Sequence, residues 1–186
     1  MTTPDTQSPI APERGPRDRL YFGSLGFVLA LDIITKRWAE ATLLLHTPVE
    51  VAGNLLRWTL TYNTGAAMNL NVGGLSRPFF SIVAIGMVTY LFVMMRQTPR
   101  SARAIPLALG LVSAGALGNL VDRLRHTKGV VDFIDLGTAS WRFWTFNVAD
   151  IGVSAGAILL ALALWREDRE AASLQQAPTP DPSPEQ

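Results

Sequence analysis

The sequence predicts a membrane protein, mainly α-helical, with four transmembrane helices and a small extracytoplasmic β platform formed by the outward loops. Three observations carry this. Four apolar segments are each long enough to cross a bilayer, which takes about 20 residues as helix. Charged residues make up 17% of the 186-residue chain and mean hydropathy is positive, whereas a soluble domain has ~25% charge. One loop alternates apolar and polar residues with a period of two, the pattern of a half-buried strand.

Taken in order, residues 1–19 form a cytoplasmic tail, in which Met1–Pro16 carries four prolines and few apolar groups. Such a segment cannot bury enough surface to fold, so it is expected to be disordered. The first helix is predicted near Leu20–Trp38. Ala39-Glu40-Ala41 resembles a signal-peptide cleavage site, but Asp32, Lys36 and Arg37 interrupt the approach to it, which favours a retained helix. In the following loop Leu56, Trp58, Leu60 and Tyr62 alternate with Arg57, Thr59, Thr61 and Asn63, and Asn63-Thr64-Gly65 supplies a turn. Further helices are predicted near Phe79–Met95, Ala104–Val121 and Asn147–Trp165. Residues 20–165 thus form a single four-helix domain, and 166–186 a second cytoplasmic tail ending in a proline-rich, mostly disordered stretch.

Glycines recur in the helices, and Gly152 and Gly156 have the GxxxG spacing of a helix contact face. Arg14, Arg17 and Arg19 precede the first helix, and Arg96, Arg100 and Arg103 link the second to the third. Basic residues near helix ends mark the cytoplasmic side. Both termini are therefore placed in the cytoplasm, and the loops Ala39–Pro78 and Asp122–Phe146 outside it. The second outward loop also holds Arg123, Arg125, Lys128 and Arg142, so its placement follows from helix count. Its aromatic cluster, Trp141, Phe143, Trp144 and Phe146, suits the headgroup level of a membrane.

Composition narrows the chemistry. A net charge of +1 gives no reason to expect a nucleic-acid partner. Without cysteine there is no disulfide, thiolate metal site or cysteine nucleophile, and two histidines make a histidine metal site unpromising, so neither metal nor cofactor is expected.

Two acids stand out in apolar surroundings: Asp132 in Val-Val-Asp-Phe (130–133) and Asp150 in Phe-Asn-Val-Ala-Asp (146–150). A carboxylate at membrane depth costs about 2.5–3.5 kcal/mol on insertion scales, so one that persists there has a function or a partner. Two such carboxylates meeting at one site can share a proton and activate a water molecule. The plainer account makes Asn147 an N-cap and Asp150 a first-turn acid favoured by the helix dipole. That account weakens once topology puts Asp132 on the same side of the membrane. Asn119, Asp122 and Arg123 share a helical face. Asn119 and Arg123 suit a carboxylate or a peptide carbonyl, whereas Asp122 has Arg123 beside it as an ion-pair partner. Asp32 precedes Lys36 by one turn, in the favourable order for a supporting ion pair.

The runs DIITK (Asp32–Lys36), YNTGAA (Tyr62–Ala67), GNLVDR (Gly118–Arg123), VVDF (Val130–Phe133) and FNVAD (Phe146–Asp150) occur in this order. Each is weak alone. Together, over roughly Leu20–Trp165, they resemble the bacterial lipoprotein signal peptidases, or signal peptidase II. The resemblance implies an intramembrane aspartic endopeptidase of the bacterial cytoplasmic (inner) membrane, with its active site near the outer face. Its substrate would be a prolipoprotein, cut before a cysteine that already carries a diacylglyceryl group, and its partners would otherwise be membrane lipids. It makes Asp132 and Asp150 the catalytic pair, and Asn63, Asn119, Arg123 and Asn147 the substrate-binding groups. Asp32, Lys36, Gly65 and Asp122 fall in supporting places. Met68 departs from the phenylalanine that many relatives carry after the Ala-Ala pair, and keeps an apolar contact. The enzyme is expected to act as a monomer.

A different class of function is a small proton- or cation-coupled transporter, which would also place acids in a membrane. Its acids should be strung along a path through the bilayer. Here Asp32, Asp122, Asp132 and Asp150 gather toward the outer end.

Overall fold

The computed structural model describes residues 15–65 and 75–175. Both predicted tail ends (1–14 and 176–186) and Ala66, Ala67 and Met68 lie outside the described residues. Among the described residues, four long helices and three strands follow one another as α1 (Pro16–Thr42), β1 (Val49–Ala52), β2 (Leu56–Asn63), α2 (Ser76–Gln97), α3 (Ala104–Arg125), β3 (Val130–Leu136) and α4 (Val148–Gln175).

Local chemistry sets the helix ends. Pro16 sits in the first turn of α1, where its missing N–H costs nothing, and Asp18 places a negative charge against the dipole. Arg123 and Arg125 occupy the last turn of α3, the favourable place for cations. Helix α4 runs to Gln175, past the predicted end at Trp165, because Arg166–Gln175 holds mostly good helix formers and no proline or glycine.

Helices α2, α3 and α4 are long and apolar enough to cross a membrane. Helix α1 has the length, but Asp32, Lys36, Arg37 and Glu40 crowd its second half. Large apolar side chains nonetheless cover the outside of α1, α2 and α4: Phe27 and Ile34 on α1, Ile82 and Tyr90 on α2, Ile158 and Leu162 on α4 are exposed. A continuous apolar exterior of this kind is stable only in lipid.

Helix α3 is the hub, packed against each of the other three. Backbones approach closely at its glycines: a β-carbon on Gly110 would collide with the Tyr21 carbonyl and Ser24, and one on Gly115 with the Ala149 carbonyl. The Gly152/Gly156 pair faces α3 from the other side, where a β-carbon on Gly156 would come within 2.8 Å of the Ala108 carbonyl oxygen. Towards one end, Tyr21, Leu91, Met95, Ile105, Leu109 and Ala163 form a core joining all four helices.

At the other end lies an antiparallel sheet in the order β1-β2-β3. The alternating run is the central strand, β2. Thr61 faces Asp132 and Asn63 faces Val130 across the β2–β3 ladder, with an irregularity between Trp58 and Thr61. Leu60, Val131 and Phe133 pack with Ala39 at the end of α1, and Leu43 and Val148 add to the cluster. This packing fixes the sheet to the helix ends and thereby sets the position of β3, which carries Asp132.

Candidate active site

Asp132 and Asp150 line one groove of ≈ 620 Å³ between α2, α3, α4 and the loop before α4. Asp132 reaches it from β3 and is 3% exposed. Asp150 comes from the first turn of α4. That turn is fixed by a reciprocal cap: Asp150 N–H donates to Asn147 Oδ1 at 3.0 Å, and Asn147 N–H donates to Asp150 Oδ2 at 3.2 Å. The N-cap role and the dyad role are thus compatible, since Asn147 also donates its Nδ2 to Asp132 Oδ1 at 2.6 Å.

A chain of amides connects the two acids to a buried charge cluster. Asn119 Nδ2 donates to Asp150 Oδ1 at 2.9 Å, and Asn147 Nδ2 lies 3.2 Å from Asn119 Oδ1. Behind them Lys36 Nζ donates to Asn119 Oδ1 at 2.9 Å and pairs with Asp32 at 2.8 Å and Asp122 at 2.9 Å. All three charged side chains are almost wholly buried. Asp32 Oδ1 accepts from Ala149 N–H at 2.8 Å, and Asp122 Oδ2 from Val131 N–H at 3.2 Å. The cluster therefore ties α1 and α3 to the two segments that deliver the acids. Gly118 leaves room for it, because a β-carbon there would strike the Asp32 carboxylate.

Asp122 differs from its expected arrangement. Its close ionic partner is Lys36, with Arg125 further off at 3.9 Å, and not the adjacent Arg123. Neighbours in a helical sequence point about 100° apart, which sends Arg123 to the groove and Asp122 to the interior. Arg123 donates to Gly65 O at 3.1 Å and to Asn119 O at 3.2 Å, and its guanidinium lies 5.6 Å from the Phe80 ring centroid. Asn63 Oδ1 accepts from Gly65 N–H at 3.0 Å, closing the turn after β2.

The residues singled out by sequence thus meet in one place and divide in two. Asn63, Gly65, Asn119, Arg123, Asp132 and Asp150 line the groove. Asp32, Lys36, Asp122 and Asn147 hold it from behind. Burial, with the negative charge of Asp150 next in size, pushes the Asp132 carboxyl up to about 7, against partly offsetting hydrogen bonds from Asn147 and Asn63. Two acids facing one cavity, one of them with a pKa raised to near neutrality, are an arrangement that can do acid–base chemistry.

Several groups were not read from the sequence. The apolar wall of the groove includes Phe80, Val83, Ala84 and Met87, and their spacing of three, four and seven marks one helix face, a signal that was available. Phe143, Trp144 and Phe146, which the sequence marks as an aromatic cluster at headgroup level, form the opposite rim. On the far side of the sheet Tyr62 donates to Glu40 at 3.2 Å, with His126 3.4 Å from the same carboxylate. Burial and then Glu40 raise the Tyr62 hydroxyl above its ordinary pKa. Among the described residues no group of three or more His, Asp or Glu side chains is arranged to hold a metal ion.

The chain is similar to lipoprotein signal peptidases from several bacteria. It is 37% identical to that of Hydrogenovibrio crunogenus over 81% of this chain and 90% of that protein. The corresponding figures are 40%, 80% and 89% for Ectopseudomonas mendocina, and 41%, 72% and 79% for Yersinia pseudotuberculosis. Two solved structures of bacterial membrane enzymes share the fold. One has a TM-score of 0.74 at 30% identity, covering 87% of this chain and 94% of that one. The other has a TM-score of 0.69 at 33% identity, covering 77% and 91%. The family model described as signal peptidase (SPase) II matches residues 24–166, and the chain belongs to this family of membrane peptidases.

Proposed function

We propose that the protein is an intramembrane aspartic endopeptidase that removes the signal peptide from diacylglyceryl-modified prolipoproteins, cutting before the lipidated cysteine. The observation that carries the reading is the shared groove: Asp132 and Asp150 face one cavity whose walls are mostly apolar. An apolar cleft leading to two acids suits a substrate that is itself a membrane helix with acyl chains beside its cleavage point.

In this reading one aspartate is ionised and takes a proton from water as the water oxygen attacks the scissile carbonyl carbon. The protonated partner hydrogen-bonds the carbonyl oxygen and stabilises the charge that develops on it. When the tetrahedral species collapses, the carbon–nitrogen bond breaks and the leaving amine takes up a proton from the pair. Arg123, Asn63 and Gly65 border the same groove and suit the peptide backbone of the substrate.

The reading includes four membrane crossings, with α1 as the first. Its charges do not forbid this, because Asp32 and Lys36 neutralise each other inside the protein, and its exposed Phe22, Phe27, Leu31 and Ile34 suit lipid. Both termini then lie in the cytoplasm, and the sheet and the site at the outer face of the inner membrane. A monomer suffices, since one chain supplies every group named.

The transporter alternative is disfavoured by placement. Asp32, Lys36, Asn119, Asp122, Asp132 and Asp150 form one connected cluster at a single end of the bundle. The test is cleavage of a diacylglyceryl-modified prolipoprotein in detergent by wild type, Asp132→Asn and Asp150→Asn. Loss of turnover in both variants, with the fold retained, is expected; near-normal turnover by either would remove it from the dyad.

A further inference from the structure

The amide chain between Lys36 and the two acids has a direction, and that direction distinguishes the acids. An ammonium only donates hydrogen bonds, so the Asn119 atom that faces Lys36 at 2.9 Å must be its carbonyl oxygen. The remaining end of that side chain is then NH2, and it must donate to Asp150. The same logic fixes Asn147. Its Oδ1 accepts from the backbone N–H of Asp150, a group that only donates. Its Nδ2 therefore points at Asp132. Neither amide can flip without setting donor against donor.

The outcome is unequal. Each oxygen of Asp150 accepts an N–H, from Asn119 Nδ2 and from the Asn147 backbone, and the carboxylate stands in the first turn of α4, where the helix dipole favours negative charge. Asp132 accepts at one oxygen from Asn147 and has a second side-chain hydrogen bond with Asn63, but it lies on a strand, without a helix terminus, and is buried. Arg123 of α3 acts electrostatically more on Asp150 than on Asp132; Lys36 of α1 acts on Asp132 in the opposite sense, but its charge is engaged by Asp32 and Asp122.

We propose that Asp150 is the ionised member and general base, that Asp132 carries the shared proton, and that Lys36 is the positioning residue that enforces this polarity through Asn119. The inference rests on the dyad reading and assigns the two roles which that reading leaves open. Lys36 touches neither acid of the pair. It acts by presenting an obligate donor to one end of an amide whose other end serves the base.

The test is the pH profile of kcat/KM for prolipoprotein cleavage, whose acid limb reports the base and whose alkaline limb reports the acid. Asn119→Asp is nearly isosteric and keeps an acceptor for Lys36, but it replaces the donor to Asp150 with a like charge. The acid limb should rise by about one pH unit or more, with a smaller shift of the alkaline limb. Asn119→Ala removes the donor without adding charge and should raise the same limb by less, which covers the case in which the first variant does not fold. Lys36→Gln combined with Asp32→Asn keeps the net charge of the buried cluster, leaves Asp122 to Arg125 at 3.9 Å and the Val131 N–H, and lets the Asn119 amide turn either way. It too should raise the acid limb, an effect that a merely structural lysine would not have. An alkaline limb that moves instead would reverse the assignment, and an unmoved profile in the double variant would remove Lys36 from it. A wild type without two limbs, or full turnover by Asp132→Asn or Asp150→Asn, would overturn the dyad reading itself.

Discussion

Lys36 and Asp122 are paired at 2.9 Å inside the protein, with both side chains almost wholly shielded from solvent. This contact joins α1 to α3 directly beneath the candidate dyad, and it gives Asp122 a structural place despite its position in a motif rich in polar groups. Breaking a buried ion pair by removing one partner costs about 3–5 kcal/mol. Lys36→Met should therefore lower the melting temperature strongly, because it strands both Asp32 and Asp122. Asp122→Asn should be milder, since Lys36 keeps Asp32. Its folded fraction is expected to retain turnover within about threefold of wild type, given that the residue touches no reacting group. A thermal melt in detergent beside a single-turnover assay separates the two effects.

Asn147 serves two sites with one side chain: its Oδ1 caps α4 and its Nδ2 holds Asp132. Loss of an N-cap costs about 1 kcal/mol. Loss of a preorganised hydrogen bond at a reacting group costs about 10²-fold in turnover. Asn147→Ala should thus reduce kcat far more than it reduces stability. An equal fall in both, measured on the same preparation, would mean that the residue is a cap and nothing more.

The raised pKa of Asp132 has a consequence for stability, and its sign is definite. The carboxyl moves from 3.8 in the unfolded chain to about 7 in the folded one. Between those values the native state binds the extra proton, so stability is full below about 4 and is lost as pH rises through about 7. The slope reaches at most about 1.4 kcal/mol per pH unit. Asp132→Asn removes this dependence. The variant should gain on wild type steadily from pH 4 to pH 7, in melts run at matched ionic strength. Parallel curves for the two proteins would mean that Asp132 titrates normally.

Gly129 holds φ at +107°, a backbone region that side chains strain to enter, and a β-carbon there would collide with the carbonyl of Asn63. Since Asn63 pairs with Val130 at the mouth of the groove, Gly129→Ala should cost about 1–3 kcal/mol. It should also raise KM, because Asn63 is displaced. A normal KM in the folded variant would show that Asn63 does not contact substrate.

The motifs and much of the fold were legible in the sequence because they are local. Length and apolarity mark the helices, and the alternation in Leu56–Asn63 marks β2. β3 escaped notice because Val130–Phe133 is buried on both faces and shows no alternation. β1 has only four residues, all exposed, and carries no period at all. The partners of Asp122 and Asn119 lie on α1, far away in the chain, and spacing rules reach only three or four residues. Sequence could name the polar residues of the site. It could not say which face the groove and which face Lys36.

The aromatic rim gives a last prediction, concerned with binding and not with chemistry. Phe143 and Trp144 line the groove opposite α2, on a segment without regular structure. Arg142, just before them, fastens that segment to the sheet. Its Nε donates to Asp135 Oδ1 at 2.6 Å, its Nη2 to the Asp135 carbonyl at 3.0 Å and its Nη1 to the Asn54 carbonyl at 2.8 Å. Thr59 completes the latch by donating to Asp135 Oδ2 at 2.9 Å. The latch is partly exposed, so its loss should cost little in stability. It does hold two large apolar side chains against the path of an apolar substrate. Arg142→Ala should raise KM several-fold, about 1 kcal/mol of binding, and leave kcat within about twofold, the pattern of an interaction that serves ground state and transition state alike. A variant that loses kcat with KM unchanged would instead tie Arg142 to the dyad through β3, since Asp135 shares that strand with Asp132.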